Sequence, residues 1–440
     1  MCTFVHTWTG ARDCRFPLLM TQWSSLLTER TVDRRRTALF LFFFLPGIAM
    51  SSWITRTPDL RDQLDVSTAQ MGLVLFGLSA GSMSGLLCSG RLVSRFGTRP
   101  VIGFGALLIP VSMLVIGAGA TVPSPPLVAV GLCVFGIGMG AGEVALNVDG
   151  ADVERAAGKA VLPLLHGGFS LGTVIGALLG MAATAVEFPV HWHLAAAALV
   201  AAVVLPYAWS GVPSGVGRRG VRQVPDAGRG AAPAVWQDRR LLLIGAIILA
   251  MALAEGAAND WLPLLMVDGH GLDATAGSLV YVGFAAAMTV GRFGGEFFLE
   301  RFGRGAVMRA SAVSGALGLV LVIFSDNVVV ASAAVLFWGL GASLGFPVAM
   351  SAAGDSGPDP TARVSLVATI GYTAFLVGPP GLGFLGDHYG LRPAMTLVLG
   401  FVVVAAFLAP AADARVRGAT SVHKETPRSE DSAASPAELP

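Results

Sequence analysis

The chain has 440 residues, of which 54% are hydrophobic and only 13% charged, and its mean hydropathy is +0.69. Ordinary soluble proteins carry about 25% charged residues, so this chain cannot clothe water-facing domains, and lipid is the solvent for most of it. With 29 Lys and Arg against 28 Asp and Glu the net charge is +1, which offers no field for nucleic acid or another polyanion.

Residues 1–36 are mostly polar and read as an N-terminal leader of the wrong shape for a cleaved signal peptide, with Met20 a second plausible start. A helix needs about 20 apolar residues to cross the hydrocarbon, because irregular backbone would leave its amides unpaired there. Twelve runs meet that demand, at 37–56, 69–92, 100–119, 126–148, 161–186, 191–210, 241–266, 275–298, 305–324, 328–352, 362–385 and 391–411. The breaks are turn-like clusters such as Pro123-Ser-Pro-Pro126, Asp268-Gly-His-Gly271 and Asp355-Ser-Gly-Pro358. Residues 37–210 then form one six-helix bundle and 241–412 a second. The segment 211–240 between them, rich in Gly, Pro and Arg, reads as a flexible linker, and 413–440 as a disordered tail.

All but four of the 29 Lys and Arg fall on the side of the two termini; Arg56, Arg61 and Arg392 lie in the opposite loops and Arg292 within a span. Loops on the cytoplasmic side collect Lys and Arg, so both termini are expected in the cytoplasm of a plasma-membrane protein. Cys2, Cys14, Cys88 and Cys133 show no metal-ligand or disulfide spacing, and neither a metal nor a cofactor is expected.

Shifting the chain by 206 positions lays the eighth run on the second. Leu73 then matches Leu279, Gly77 matches Gly283, Gly85 matches Gly291, and Arg95-Phe-Gly97 matches Arg301-Phe-Gly303. A shift of 208 pairs Trp53 with Trp261. Two parallel six-helix halves, with a site at their interface, are the arrangement this repeat predicts.

Gly90-Arg-Leu-Val-Ser-Arg-Phe-Gly97, followed by Thr98 and Arg99, resembles the Gly-x-x-x-Asp-Arg-x-Gly-Arg-Arg/Lys loop of the major facilitator superfamily. Ser94 stands where that family usually has Asp, which puts the usual charge relay of the first half in doubt. The partner loop, Phe298-Leu-Glu-Arg-Phe-Gly-Arg304, keeps the acid as Glu300 but has Glu296 in place of the first Gly. The resemblance covers residues 37–412. It implies an all-α membrane fold of twelve transmembrane helices in two pseudo-symmetric six-helix bundles, with helices one, four, seven and ten lining a central cavity. Arg91, Arg95, Arg99, Arg292, Glu296, Glu300 and Arg301 are then candidates for a cytoplasmic gate. Within the superfamily, Asn147-Val-Asp-Gly-Ala-Asp-Val-Glu154, His166-Gly-Gly-Phe-Ser-Leu-Gly-Thr173 and Glu255-Gly-Ala-Ala-Asn-Asp-Trp261 are similar to the MosC-type and fucose-permease branch. That branch implies proton-coupled uptake of a sugar-like solute.

An ionisable side chain in a span costs a few kcal/mol or more, so it faces a cavity or a partner. The fourth run has Glu143 and Asn147, and the seventh has Glu255, Asn259 and Asp260. Glu-x-x-x-Asn stacks an acid and an amide on one helix face. The acid can exchange a proton and the amide can bind a hydroxylated solute, so Glu143 and Glu255 are the leading coupling candidates. The bland alternative is that each acid pairs with a neighbouring helix. Asp260, nearer the outer end, is read as solvated more readily than functional, and Asp149 as a solvated helix end. Arg292 and Glu296, four apart, are expected to form an intrahelical ion pair. His166 opens the fifth run and is either a structural residue or a substrate or proton contact. Trp53, Trp261, Trp338 and Tyr372 either stack on a sugar ring or anchor span ends.

The Gly-x-Gly-x-Gly-x-Gly at 136–142 follows no strand and is no nucleotide loop. With no Walker or redox motif, a proton gradient is the simplest drive. The expected function is secondary transport by alternating access, in a monomer whose partners are a small-molecule solute, protons and the lipid bilayer. Import of a small polar, sugar-like solute leads; proton-driven efflux of a small molecule or drug and a non-transporting receptor or assembly factor are the alternatives.

Overall fold

The computed structural model describes residues 15–158, 161–218, 232–357 and 359–413. The first 14 leader residues, residues 219–231 of the linker expected to be flexible and residues 414–440 of the tail expected to be disordered lie outside them. Every regular element among the described residues is helical. Twelve helices are long and apolar enough to cross a membrane: Thr31–Ile54, Thr68–Phe96, Thr98–Thr121, Pro125–Ala157, Leu162–Ala185 and Val190–Trp209 in the first half, then Arg239–His270, Ala274–Phe302, Arg304–Phe324, Val328–Gly354, Ala362–Tyr389 and Leu391–Ala412 in the second. They are called the first to twelfth spans. The first is the apolar part of a longer helix, Arg15–Ile54. The fourth continues nine residues beyond the expected end, because its last two turns, though polar, are held by buried charge.

The tenth span is two helices, Val328–Ser343 and Gly345–Gly354. Pro347 cannot return an N–H to the Ser343 carbonyl and its ring crowds that oxygen, which accounts for the break. The bundle surface is inverted relative to a soluble protein. Leu87, Val203 and Phe293 are each more than 60% exposed, facing the lipid, whereas the polar side chains turn inward.

The repeated Arg-Phe-Gly has a conformational reason. Gly97 (φ +86°) and Gly303 (φ +79°) end the second and eighth spans in the left-handed region, where a side chain would be strained. The residue after each glycine starts the next helix and reaches an aspartate on the fourth helix of its own half. The Thr98 hydroxyl donates to Asp149 at 2.6 Å, and Arg304 pairs with Asp355 at 2.6 Å. Positions 149 and 355 are related by the same shift of 206, so the repeat extends to an interaction.

Asp149 is therefore not a solvated helix end. It is fully buried and accepts from Arg35 of the first span at 2.7 Å, while Arg35 also pairs with Asp152 at 2.8 Å. Ser94 only donates to the Arg91 carbonyl of its own helix at 2.9 Å. Ser94 takes no part in the buried cluster, in which Arg35, Thr98 and Asp149 tie the first, third and fourth spans together.

Removing one member of a buried ion pair strands the other in a low dielectric and costs about 3 kcal/mol or more. Asp149→Ala is expected to lower the thermal midpoint of detergent-purified protein by several degrees. Asp152→Ala should lower it far less, since Arg35 keeps Asp149. Equal effects would show that Asp149 has no special place in this cluster.

Candidate functional site

Between the two halves lies a cavity of about 150 Å³. The first half contributes Met50 of the first span, Ser79, Ser82 and Met83 of the second, and Phe135, Met139 and Glu143 of the fourth. The second half contributes Asn259 and Asp260 of the seventh span and Tyr372 and Phe375 of the eleventh. The tenth span, expected in this wall, supplies none of the lining residues. Its Trp338 is fully buried, donates its indole N–H to the Ala254 carbonyl of the seventh span at 3.1 Å and packs edge-on against Phe284. Trp338 thus fills a helix contact and not the cavity.

Glu143 projects toward the second half, where the Tyr372 hydroxyl reaches it at 3.5 Å. Asn147, one turn on, donates to the Glu143 backbone carbonyl at 2.9 Å, and its side-chain oxygen lies 3.0 Å from His166 Nε2. An amide oxygen only accepts, so His166 carries its proton on Nε2. The imidazole also meets Phe43 edge-on. Glu143, Asn147 and His166 therefore form one polar ladder on the fourth and fifth spans.

Glu255 has a different fate. It lies off the cavity and pairs with Arg292 of the eighth span at 2.9 Å, and Arg292 also donates to the Ser170 hydroxyl of the fifth span at 3.2 Å. The expected Arg292 to Glu296 pair does not form. Glu296 is exposed and makes no ion pair among the described residues, because Arg292 turns toward the interior, where Glu255 and Ser170 both accept from it. A single guanidinium thus joins two helices of the second half to one of the first.

Asp260, taken as solvated, is 7% exposed in the cavity wall and makes no hydrogen bond or ion pair among the described residues. The carboxyl without a partner is Asp260, not Glu255. Asn259 accepts from the Tyr281 hydroxyl of the eighth span at 3.2 Å. Among the aromatic candidates only Tyr372 lines the cavity. Trp53 and Trp261 are fully buried, and Trp261 lies close beneath Gly383 of the eleventh span. Their burial leaves no face for a solute in this conformation.

Contacts between the halves are unequally distributed. On the side opposite the termini, Arg61 in the short helix Thr57–Leu64 pairs with Asp268 at the end of the seventh span, with Asp62 on its other flank. Burial disfavours the Arg61 charge, but hydrogen bonds and attraction from Asp268 and Asp62 outweigh it and hold its pKa above the usual value. Asp387 accepts from the Ala69 amide at 3.3 Å, and the Ser278 hydroxyl donates to the Thr55 carbonyl at 2.9 Å. A Cβ at Gly72 would fall 2.8 Å from the Pro379 carbonyl oxygen, so the second and eleventh spans meet there backbone to backbone.

On the terminal side the described loop residues of the two halves make no such contact; the halves meet there within the spans, where Arg292 donates to Ser170 and Phe293 lies against Gly167. Arg91, Glu300 and Arg301 are exposed; Arg95 lies over Phe96, and Arg99 over Trp209 at 5.2 Å. These gate candidates are not brought together in this conformation. Sequence reasoning missed Arg61, Ser170 and Tyr281 as participants. Only Arg61, one of the three arginines in the loops opposite the arginine-rich side, carried a signal.

A family model described as Major Facilitator Superfamily matches residues 37–364. An uncharacterized transporter of Sinorhizobium fredii is 30% identical over 373 residues, covering 84% of this chain and 95% of that relative. The membrane protein MosC of Rhizobium meliloti is 24% identical over 377 residues, covering 84% of this chain and 88% of the relative. Among solved structures, a variant of the nucleoside transporter NupG superposes with a TM-score of 0.70 at 16% identity, covering 86% of this chain and 99% of that one. A variant of the E. coli fucose:proton symporter FucP gives a TM-score of 0.62 at 17% identity, covering 86% and 98%. At such identities the superpositions establish the fold alone.

The two glutamates are separable by stability. Glu255→Gln leaves Arg292 without its counter-charge and is expected to cost about 3 kcal/mol, seen as a clear fall in thermal midpoint. Glu143→Gln breaks no ion pair and should change the midpoint little. The opposite order would reassign the paired and unpaired acids.

Proposed function

This chain belongs to the major facilitator superfamily of multi-pass membrane transporters, and from that premise we propose that it is a proton-coupled secondary transporter importing a small, uncharged, sugar-like solute. The observation that carries the reading is the cavity between the halves, which holds Glu143 from one half and Asp260 from the other and no basic side chain among its lining residues.

The cavity wall matches the chemistry of a hydroxylated solute. Asn259, Tyr372, Ser79 and Ser82 offer donors and acceptors, while Met50, Met83, Met139, Phe135 and Phe375 offer an adaptable apolar face. An anionic solute would meet two acids and no cation, which argues against carboxylates.

Coupling rests on the acids that have no cationic partner. An ionised carboxylate sealed from water without a counter-charge costs several kcal/mol, so such a site closes with the proton on. Glu255 is already neutralised by Arg292, so the coupling role expected for it passes to Asp260, alongside Glu143. The arginine distribution supports assigning the terminal side to the cytoplasm of a plasma-membrane protein. The clasp of Arg61, Asp268, Asp387 and Gly72 then serves as the outer seal. One chain completes the cavity, which suits a functional monomer, and rocking of the halves would expose it alternately.

The test begins with a thermal-stabilisation screen of unlabelled sugars, polyols, nucleosides and dicarboxylates, since a ligand of the folded state raises stability by mass action. A neutral hydroxylated solute is expected to stabilise the protein. In proteoliposomes with an imposed pH gradient it should accumulate, and a protonophore should abolish that accumulation. Glu143→Gln and Asp260→Asn should each reduce accumulation about tenfold or more, a loss of at least ~1.4 kcal/mol of coupling, and retain counterflow. Unaltered accumulation in both variants would remove the coupling assignment. Gradient-driven expulsion would make the protein an exporter, and stabilisation by dicarboxylates alone would overturn the solute class.

A further inference from the structure

Segment 90–99, which turns from the second span into the third, carries charge of one sign: Arg91, Arg95 and Arg99, with no acid. Arg218, at the start of the linker, brings a further guanidinium by donating to the Arg95 carbonyl at 3.3 Å, and the linker is held there by the Thr98 amide donating to the Val216 carbonyl at 2.8 Å. None of these arginines makes an ion pair among the described residues. The described acids of this half on the terminal side are engaged elsewhere: Asp149 and Asp152 with Arg35, Asp33 with Arg36, and Glu154 with the Val161 and Leu162 amides. The repeat supplies an internal comparison. Shifted by 206 positions, segment 296–305 holds Glu296, Glu300, Arg301 and Arg304, so its charges cancel, and Arg304 is paired with Asp355 as well. The first-half segment also borders the lipid. Arg95 lies over the Phe96 ring at 5.3 Å, and Arg99 over that of Trp209, the last residue of the sixth span, at 5.2 Å. Phe96, Phe104 and Tyr207, close by in the chain, are exposed. Arginines stacked on aromatic rings at span ends stand at the depth of the headgroups.

We propose that this turn is a binding site for an anionic phospholipid, with Arg95, Arg99 and Arg218 holding the headgroup phosphate and Phe96, Phe104 and Tyr207 meeting the acyl chains. A guanidinium offers paired N–H donors that match phosphate oxygens. Each basic residue beside a span strengthens attraction to an anionic lipid surface by about fivefold. A zwitterionic headgroup brings a cation of its own, which unpaired arginines repel. Ser94 keeps the site selective. It stands one residue before Arg95 and only donates to the Arg91 carbonyl, whereas an acid there, as Glu300 is in the second half, would compete with the phosphate for the arginines. The site lies on the lipid-facing rim of the first half and is independent of the solute that the cavity takes.

The test follows the thermal midpoint of the full chain in a neutral detergent during titration with dioctanoyl phosphatidylglycerol, dioctanoyl phosphatidylcholine or glycerol 3-phosphate. Phosphatidylglycerol is expected to raise the midpoint saturably, and less so in high salt; the other two should leave it in place. Arg95→Gln combined with Arg99→Gln should raise the phosphatidylglycerol concentration for half the effect about tenfold or more, and Ser94→Asp, which keeps every arginine, about fivefold. Arg301→Gln in the second-half turn should not change it. Equal stabilisation by glycerol 3-phosphate would mark a soluble-anion site, and equal stabilisation by phosphatidylcholine an unselective apolar groove; either overturns the proposal. So does a loss from Arg301→Gln as large as that from the double variant, since net charge and not this turn would then recruit the lipid. Should the double variant fail to fold, Ser94→Asp decides by itself, and an undiminished phosphatidylglycerol effect in that variant overturns the site.

Discussion

Lipid cannot solvate a charge, and every ionisable side chain within the bundle must answer that constraint with a partner, a cavity or a proton. Arg35 and Asp149 answer it by pairing, and by doing so they hold three helices of the first half at one end. Arg292 answers it twice, with Glu255 in its own half and Ser170 in the other. Asp260 has no ion-pair partner among the described residues and stands in the cavity wall. Which of these solutions the fold supplies is what distinguishes the paired acids, Asp149 and Glu255, from the unpaired one, Asp260.

The same constraint explains why the halves are joined as they are. Helices gain no hydrophobic drive from meeting in lipid, so close approach of small residues and a few polar contacts decide where they touch. At Gly72 the second and eleventh spans approach backbone to backbone, and Arg61 with Asp268 closes the loops above them. On the terminal side the arginine-rich loops find partners within their own half or none at all among the described residues, as Arg99 does over Trp209. The loops are thus clasped at one face and unclasped at the other, an asymmetry that suits alternate exposure of a central cavity.

The two halves repeat the frame but not the chemistry. Gly97 and Gly303 stop equivalent helices in the same left-handed turn, and Asp149 and Asp355 receive the next helix in the same way. The acids toward the middle diverge. Glu143 and Glu255 share the Glu-x-x-x-Asn spacing on the fourth and seventh spans, which the repeat does not relate, and one faces the cavity while the other is consumed by Arg292. Spacing along one helix places an acid on a face; a cation on the neighbouring helix decides what that face does.

Twelve spans, their order, the internal repeat and the family were legible from residue order, because each rests on a local property: the length of apolar runs, the placement of arginines and a turn that only glycine adopts easily. The polar residues of the spans were legible as a set for the same reason, since any charge in an apolar run stands out. Their roles were decided by tertiary structure. Asp149 looked like a helix end until Arg35, 114 residues away, was brought against it, and Asp260 looked solvated until the first half closed the cavity over it. Pairing energies depend on distances between helices, and those are set by rotation and tilt, to which the order of residues along one helix is blind.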